Sequence, residues 1–129
     1  MTGNLLDTNV ALIALTRPSN LSARVRKALL AGPNFLSAVV YWEVLLKVMK
    51  GALIVGEPRS WWLDALDVLA ATPLALQPEH VATLHALPPI HSDPFDRIQI
   101  AQASAENLVL LTTDEVIPRY RSRHFRVLS

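Results

Sequence analysis

Two apolar patterns alternate along the chain. Short runs such as "NLL" at 4–6, "PNFLS" at 33–37, "PLALQ" at 73–77, "LVLL" at 108–111 and "FRVLS" at 125–129 have the length and apolarity of strands inside a sheet. Between them lie longer stretches whose apolar residues recur at helical spacing. "TNVALIALT" continues the first run as a helix opened by Thr8 or Asn9. "NLSARVRKALLAG" has Asn20 or Ser22 as a start signal, apolar residues at 21, 25, 28 and 29, and Gly32 as a stop. "AVVYWEVLLKVMKG" closes at Gly51, "PRSWWLDALDVLAAT" carries Pro58 in its first turn, and the prolines at 88 and 89 end "PEHVATLHAL". "SDPFDRIQIAQASAEN" opens with Ser92 or Asp93 as cap and Pro94 in the first helical position, and its apolar face runs through Ile100, Ala101 and Ala105. "EVIPRY" is one short helical turn before the closing strand.

Helices alternating with short apolar strands predict a mainly parallel sheet covered on both faces, a three-layer α/β/α sandwich in one domain over 1–129. In such sheets the functional crevice lies beyond the carboxyl ends of the strands, where residues distant in sequence converge. Asp7 ends the first strand and Asp114 the fourth. A helix that feeds a parallel strand starts at that same edge, so Glu43 and Asp96, each near the start of its helix, face the same crevice.

Four carboxylates at one rim repel. Each pair at 4 Å costs about 4 kcal/mol at an effective dielectric of 20. A hard divalent cation offsets this, and an all-oxygen site of carboxylates and water suits Mg²⁺ or Mn²⁺. Such ions activate water and neutralise charge on a phosphate during in-line displacement. Each acid also has a plainer reading: Asp7 as a helix cap, Asp93 as a cap before Pro94, and Glu43 as an exposed ion pair with Lys47 at i+4, worth a few tenths of a kcal/mol. Glu43 lies in an otherwise apolar helix, which favours the site.

Composition narrows the classes. With 51% hydrophobic and 18% charged residues the 129-residue chain is no disordered segment. It has no cysteine, so disulfides and thiolate metal sites are excluded. Asp7 and Asn9 interrupt the N-terminal apolar run and no basic region precedes it, so it does not read as a signal peptide; with no stretch near 18 uninterrupted apolar residues, a soluble cytoplasmic protein is expected. The net charge of +1 decides little, but Arg119, Arg121, Arg123 and Arg126 with His124, and Arg24, Arg26 and Lys27, form local clusters able to hold phosphates. The four glycines make no phosphate-cradling loop, which disfavours a nucleotide enzyme.

"LLDTNV", "SAVVYWEVLLKVMKGAL", "LPPIHSDPFDRIQIAQA" and "LVLLTTD", in this order over nearly the whole chain, resemble the PIN domain, and in particular the VapC-like toxins of bacterial toxin–antitoxin pairs. "DPFDRIQIAQA" is the most specific piece. The resemblance implies a metal-dependent endoribonuclease in which Asp7, Glu43, Asp96 and Asp114 are the catalytic acids and hold Mg²⁺ or Mn²⁺, with Asp93 assisting. Thr8, Asn9 and Thr112 occupy places of small polar residues that orient the acids, although Asn9 departs from the histidine common there. It further implies an RNA substrate, a cognate VapB-like antitoxin laid over the groove, and a homodimer. Arg97, Arg119 and Arg121 are candidates for RNA phosphates, Trp61 and Trp62 for a partner or the core, and His91 for substrate contact or loop packing. The alternative is a catalytically silent module of the same fold that acts through its partner.

Overall fold

Strands β1 (Asn4–Leu6), β2 (Asn34–Ser37), β3 (Ala71–Leu74), β4 (Val109–Leu111) and β5 (Arg126–Leu128) pair in parallel in the order β3-β2-β1-β4-β5. This is a computed structural model, and it describes residues 3–129. Helices α1 (Thr8–Thr16), α2 (Ala23–Ala31), α3 (Ala38–Met49), α4 (Pro58–Val68), α5 (Pro78–Leu84) and α6 (Pro94–Glu106) cover the sheet, as the alternating patterns predict.

The central strand explains the layering. Side chains alternate along a strand, so Leu5 and Leu6 enter opposite cores. Leu6 packs with Val10, Val25, Val40, Val44 and Ala65 from α1, α2, α3 and α4. Leu5 packs with Ile100 and Ala103 of α6 and with Phe125 and Val127 near the C-terminus. Both leucines are fully buried, each worth about 1.5–3 kcal/mol. The polar residue at the head of β1 is also buried but satisfied: Asn4 Nδ2 donates to Ala28 O at 2.8 Å and Asn34 Oδ1 at 2.9 Å. Gly32 ends α2 with a φ of 55°, a conformation that favours glycine.

Two expectations are corrected. The third strand is 71–74, two residues earlier than "PLALQ". The preceding helix stops at Val68 and Ala70 turns the chain with a φ of 49°, so the strand begins sooner. Pro73 falls inside it, tolerated because β3 is an edge strand paired only with β2. Ala105 of α6 is exposed, whereas 98–103 are buried without a break. That helix is covered on more than one side, by the sheet and by α5, so its burial is not a single stripe.

The chain winds outward from β1 to β2 and β3, then crosses back through α5 and α6 to lay β4 on the other side of β1. The reversal opens a crevice at the carboxyl ends of β1 and β4. No helix among the described residues is long and apolar enough to cross a membrane.

Candidate active site

Leu6 is level with Leu111 in the β1–β4 pairing, and Asp7 N donates to Leu111 O at 3.0 Å, which carries the ladder one residue past the strand. The Asp7 carboxylate therefore leaves the sheet between the two strand ends. Its Oδ1 accepts from Val10 N at 2.8 Å, capping α1, and its Oδ2 accepts from the Thr112 hydroxyl. The capping reading of Asp7 is thus met, and the same carboxylate lines the crevice. Burial, only partly offset by those hydrogen bonds and reinforced by the charges of Asp114 and Glu43, pushes the Asp7 carboxyl up to about 6.

Asp114 hangs over the same rim. Its Oδ1 accepts from Val116 N at 2.6 Å and Ile117 N at 3.2 Å, and its own N–H donates to Thr112 Oγ1 at 2.9 Å. Burial works to raise its carboxyl, but those two backbone donors and His91 outweigh it, and the group lies below the usual carboxylate range. Asp96, one turn into α6, has no such donors to its carboxylate. Burial, with the charges of Asp93, Asp114 and Asp7 outweighing the His91 contribution, lifts it to about 7. Asp93 serves chiefly as the cap of α6: its Oδ1 accepts from Phe95 N at 2.8 Å and Asp96 N at 3.2 Å.

His91 stands between these acids. Its Nε2 lies 2.9 Å from Asp96 Oδ2 and 3.3 Å from Asp114 Oδ2, while its Nδ1 accepts from Asp93 N at 3.3 Å. An acceptor at Nδ1 makes Nε2 the protonated nitrogen of the neutral ring, so His91 donates toward the acids. His91 belongs to the loop, as the packing reading expects, and its ring points into the crevice.

Glu43 joins from α3. Its Oε1 accepts from the Thr8 hydroxyl, and Thr8 Oγ1 in turn accepts from Gln99 Nε2 at 3.5 Å. Glu43 and Lys47 make no ion pair, so the surface-pair reading of that helix fails; the carboxylate has turned to Thr8 instead. Asn9 is exposed and lines the crevice, but its side chain makes no hydrogen bond to a described residue and so orients no acid.

Together Asp7, Glu43, Asp93, Asp96 and Asp114, with Thr8, Asn9, Lys47 and His91, line a cleft of about 240 Å³. Carboxylates packed this closely, two of them pushed toward neutrality, form a donor set that a hard divalent cation would relieve. Ligand atoms of His91, Asp96 and Asp114 lie within 4.8 Å of one another, so an ion there would take Asp96 and Asp114, and His91 only once its Nε2 gives up the proton; Asp7 and Glu43 line the same cleft outside that group. The residues present therefore fit such a metal.

The arginines sit differently. Arg97 donates from Nη1 to Pro88 O and Tyr120 Oη, both at 3.0 Å, and Tyr120 Oη accepts from His91 N at 2.6 Å. Arg97 is thus tied into the support of the His91 loop. Arg121 donates to Val127 O at 3.0 Å, and Arg119 is exposed. Trp61 and Trp62 pack against the core beside α1, with Trp62 stacked on Tyr41 at 5.0 Å, as the core reading expects. Gln99 escaped notice in the sequence; the available signal was an amide in an unbroken buried stretch, which needs a polar partner.

The fold is shared with solved structures across nearly the whole chain. VapBC2 from Rickettsia felis bound to a DNA fragment from its promoter is 16% identical, with a TM-score of 0.71, covering 99% of this chain and 98% of that one. VapBC-5 from Mycobacterium tuberculosis gives 18% identity and a TM-score of 0.64 over 98% and 97% of the two chains. FitAcB from Neisseria gonorrhoeae gives 19% and 0.63 over 98% and 96%. No curated protein sequence matches the chain. The PIN domain family matches residues 5–122, a span that holds every acid of the crevice, and the chain belongs to that family.

Proposed function

We propose that this protein is the toxin of a VapBC-type toxin–antitoxin pair, an endoribonuclease that cuts RNA phosphodiester bonds with the help of Mg²⁺ or Mn²⁺. One observation carries the reading. Asp7, Glu43, Asp96 and Asp114, from four separate elements, line a single cleft over the crossover point of the sheet. These four acids would hold the ion, which supplies an activated water and neutralises charge on the phosphate when bound. The chain's own work is positioning. Thr112 holds Asp7, Thr8 holds Glu43, and the Val116 and Ile117 amides hold Asp114. His91 supplies a donor to Asp96 and Asp114.

Of the arginines, exposed Arg119 is retained as a contact for RNA phosphates, with Arg97 and Arg121 in supporting positions. An RNA substrate puts the site of action in the cytoplasm. The similar structures are toxin–antitoxin assemblies by description, which supports a VapB-like antitoxin as partner. Exposed apolar side chains supply surface for it and for a homodimer, among them Ile54 at 94% exposure and Trp42 at 54%.

The test is to incubate purified protein with a structured RNA and Mn²⁺, with EDTA and Asp7→Asn as controls. Cleavage by wild type alone, abolished by EDTA, is expected. Intact RNA, or a variant that cuts as well as wild type, overturns the catalytic assignment in favour of the silent binding module.

A further inference from the structure

The acid cleft opens into a second hollow of about 270 Å³, and the two share Glu43, Lys47 and Asp93 as walls. The second hollow adds Lys50 and Phe95. Glu43, Lys47 and Lys50 follow one another at i, i+4 and i+7 on α3, so they fall on one helix face. Side chains of a helix lean toward its N-terminus, which for α3 is the end at the crevice. Lys47 is half-buried on the ridge between the hollows, yet pairs with no acid among the described residues although two line both hollows with it. An ammonium in this place is neither spent on the scaffold nor free in solvent.

We propose that Lys47 is a positioning residue that grips the RNA phosphate next to the one cut, and that the strand leaves the cleft along α3 past Lys50. The inference rests on the ribonuclease reading above. A cleft walled by carboxylates repels a polyanion except where cations stand. The acids would hold any ion at the reacting phosphate; Lys47, about 6 Å from Glu43 along the helix axis, is the fixed charge that meets its neighbour. A lysine binds phosphate as a point charge on a flexible stem, which tolerates any base sequence. Substrate is therefore held by its backbone where it crosses the ridge and not read there by base.

The test uses the full chain and a fluorescein-labelled single-stranded oligoribonucleotide. Binding is measured by anisotropy with Mn²⁺ on an Asp7→Asn background, across KCl concentrations, for Lys47, Lys47→Gln and Lys47→Arg; cleavage kinetics are run on the same substitutions in wild type. Lys47→Gln is expected to weaken binding about tenfold and to flatten the log K against log salt slope by about 0.7, the loss of one phosphate contact on a single strand. KM rises more than kcat falls, and Lys47→Arg restores the slope. RNA cut by wild type with Lys47→Gln binding within twofold and an unchanged slope overturns the proposal alone. A slope that changes for Lys47→Arg as much as for Lys47→Gln also overturns it, since charge is then not what matters. RNA neither bound nor cut by wild type overturns the functional reading and takes this one with it.

Discussion

The Thr112 hydroxyl donates to Asp7 Oδ2 across 105 residues of sequence. Thr112 Oγ1 in turn accepts from Asp114 N at 2.9 Å, so one hydroxyl joins the ends of two neighbouring strands to two acids. Asp7 is only 4% exposed, and a buried carboxylate deprived of a donor bears its own desolvation. Thr112→Val keeps the shape and removes the donor. It should cost about 1–3 kcal/mol in urea unfolding at neutral pH and most of the RNA cleavage, while Thr112→Ser keeps both. Full activity in the valine variant would show that Asp7 needs no such support.

Acid should stabilise the metal-free site. The Asp7 carboxyl at about 6 and the Asp96 carboxyl at about 7 lie above their ordinary value of 3.8, so the folded chain holds these protons more tightly than the unfolded one. Stability from this source is full below about 4 and is lost as pH rises through about 7. Asp114, lowered by its backbone donors, works the opposite way: its contribution is present at neutral pH and lost in acid. Asp96→Asn removes one of the two raised groups. In EDTA its thermal midpoint should exceed that of wild type at pH 7.5 and the gap should close by pH 4.5; a constant gap would refute the charge argument.

Divalent cations should act on the same balance from the other side. An ion that binds only the folded site stabilises by mass action, and it competes with protons for the carboxylates. Mn²⁺ is expected to raise the melting temperature of wild type at pH 7.5 by several degrees, less at pH 5, and hardly at all for Asp96→Asn. An equal rise in wild type and variant would place the ion elsewhere.

His91 offers a spectroscopic check. With Nδ1 accepting from Asp93 N, its neutral ring carries the proton on Nε2. Long-range ¹H–¹⁵N correlation of the metal-free protein should show that tautomer, and added Mg²⁺ should shift its ring signals ahead of those of His124, which lies outside the cleft. Unmoved His91 signals under saturating Mg²⁺ would separate it from the metal.

The proposed homodimer has a candidate face. Trp42 packs edge-on against Phe95 at 4.9 Å beside an apolar hollow lined by Leu46, Leu76 and Leu84. Trp42→Glu should convert a dimer to a monomer in light scattering and leave the far-ultraviolet spectrum unchanged. A variant that stays dimeric moves the interface to another face.

Much of this was legible in the chain because it depends on neighbours in sequence. The Asp93–Pro94 start of α6, the Gly32 stop of α2 and the strand-end acids all announce themselves within a few residues. What was missed depends on distance. Gln99 meets Thr8 across 91 residues, and no local pattern contains that pairing. The i+4 spacing left a Glu43–Lys47 ion pair open as the plainer alternative, because spacing reports which side chains can meet; it does not report that Glu43 turns to Thr8 instead. The early start of β3 followed from the left-handed turn at Ala70, a residue whose type gives no warning of it.

The winding order of the sheet has a consequence for synthesis. Asp7 and Glu43 belong to the half of the sheet that is built first, while Asp96, the Thr112 hydroxyl and Asp114 come only after the chain has crossed back past β1. A chain made through the first three strands carries two of the four acids and has Val10 N, but not the Thr112 hydroxyl, to hold Asp7. The four acids are thus complete only in about the last eighth of translation, once Asp114 of the 129 residues has been added. On the ribonuclease reading proposed above, the chain would be inert towards RNA while it is being made.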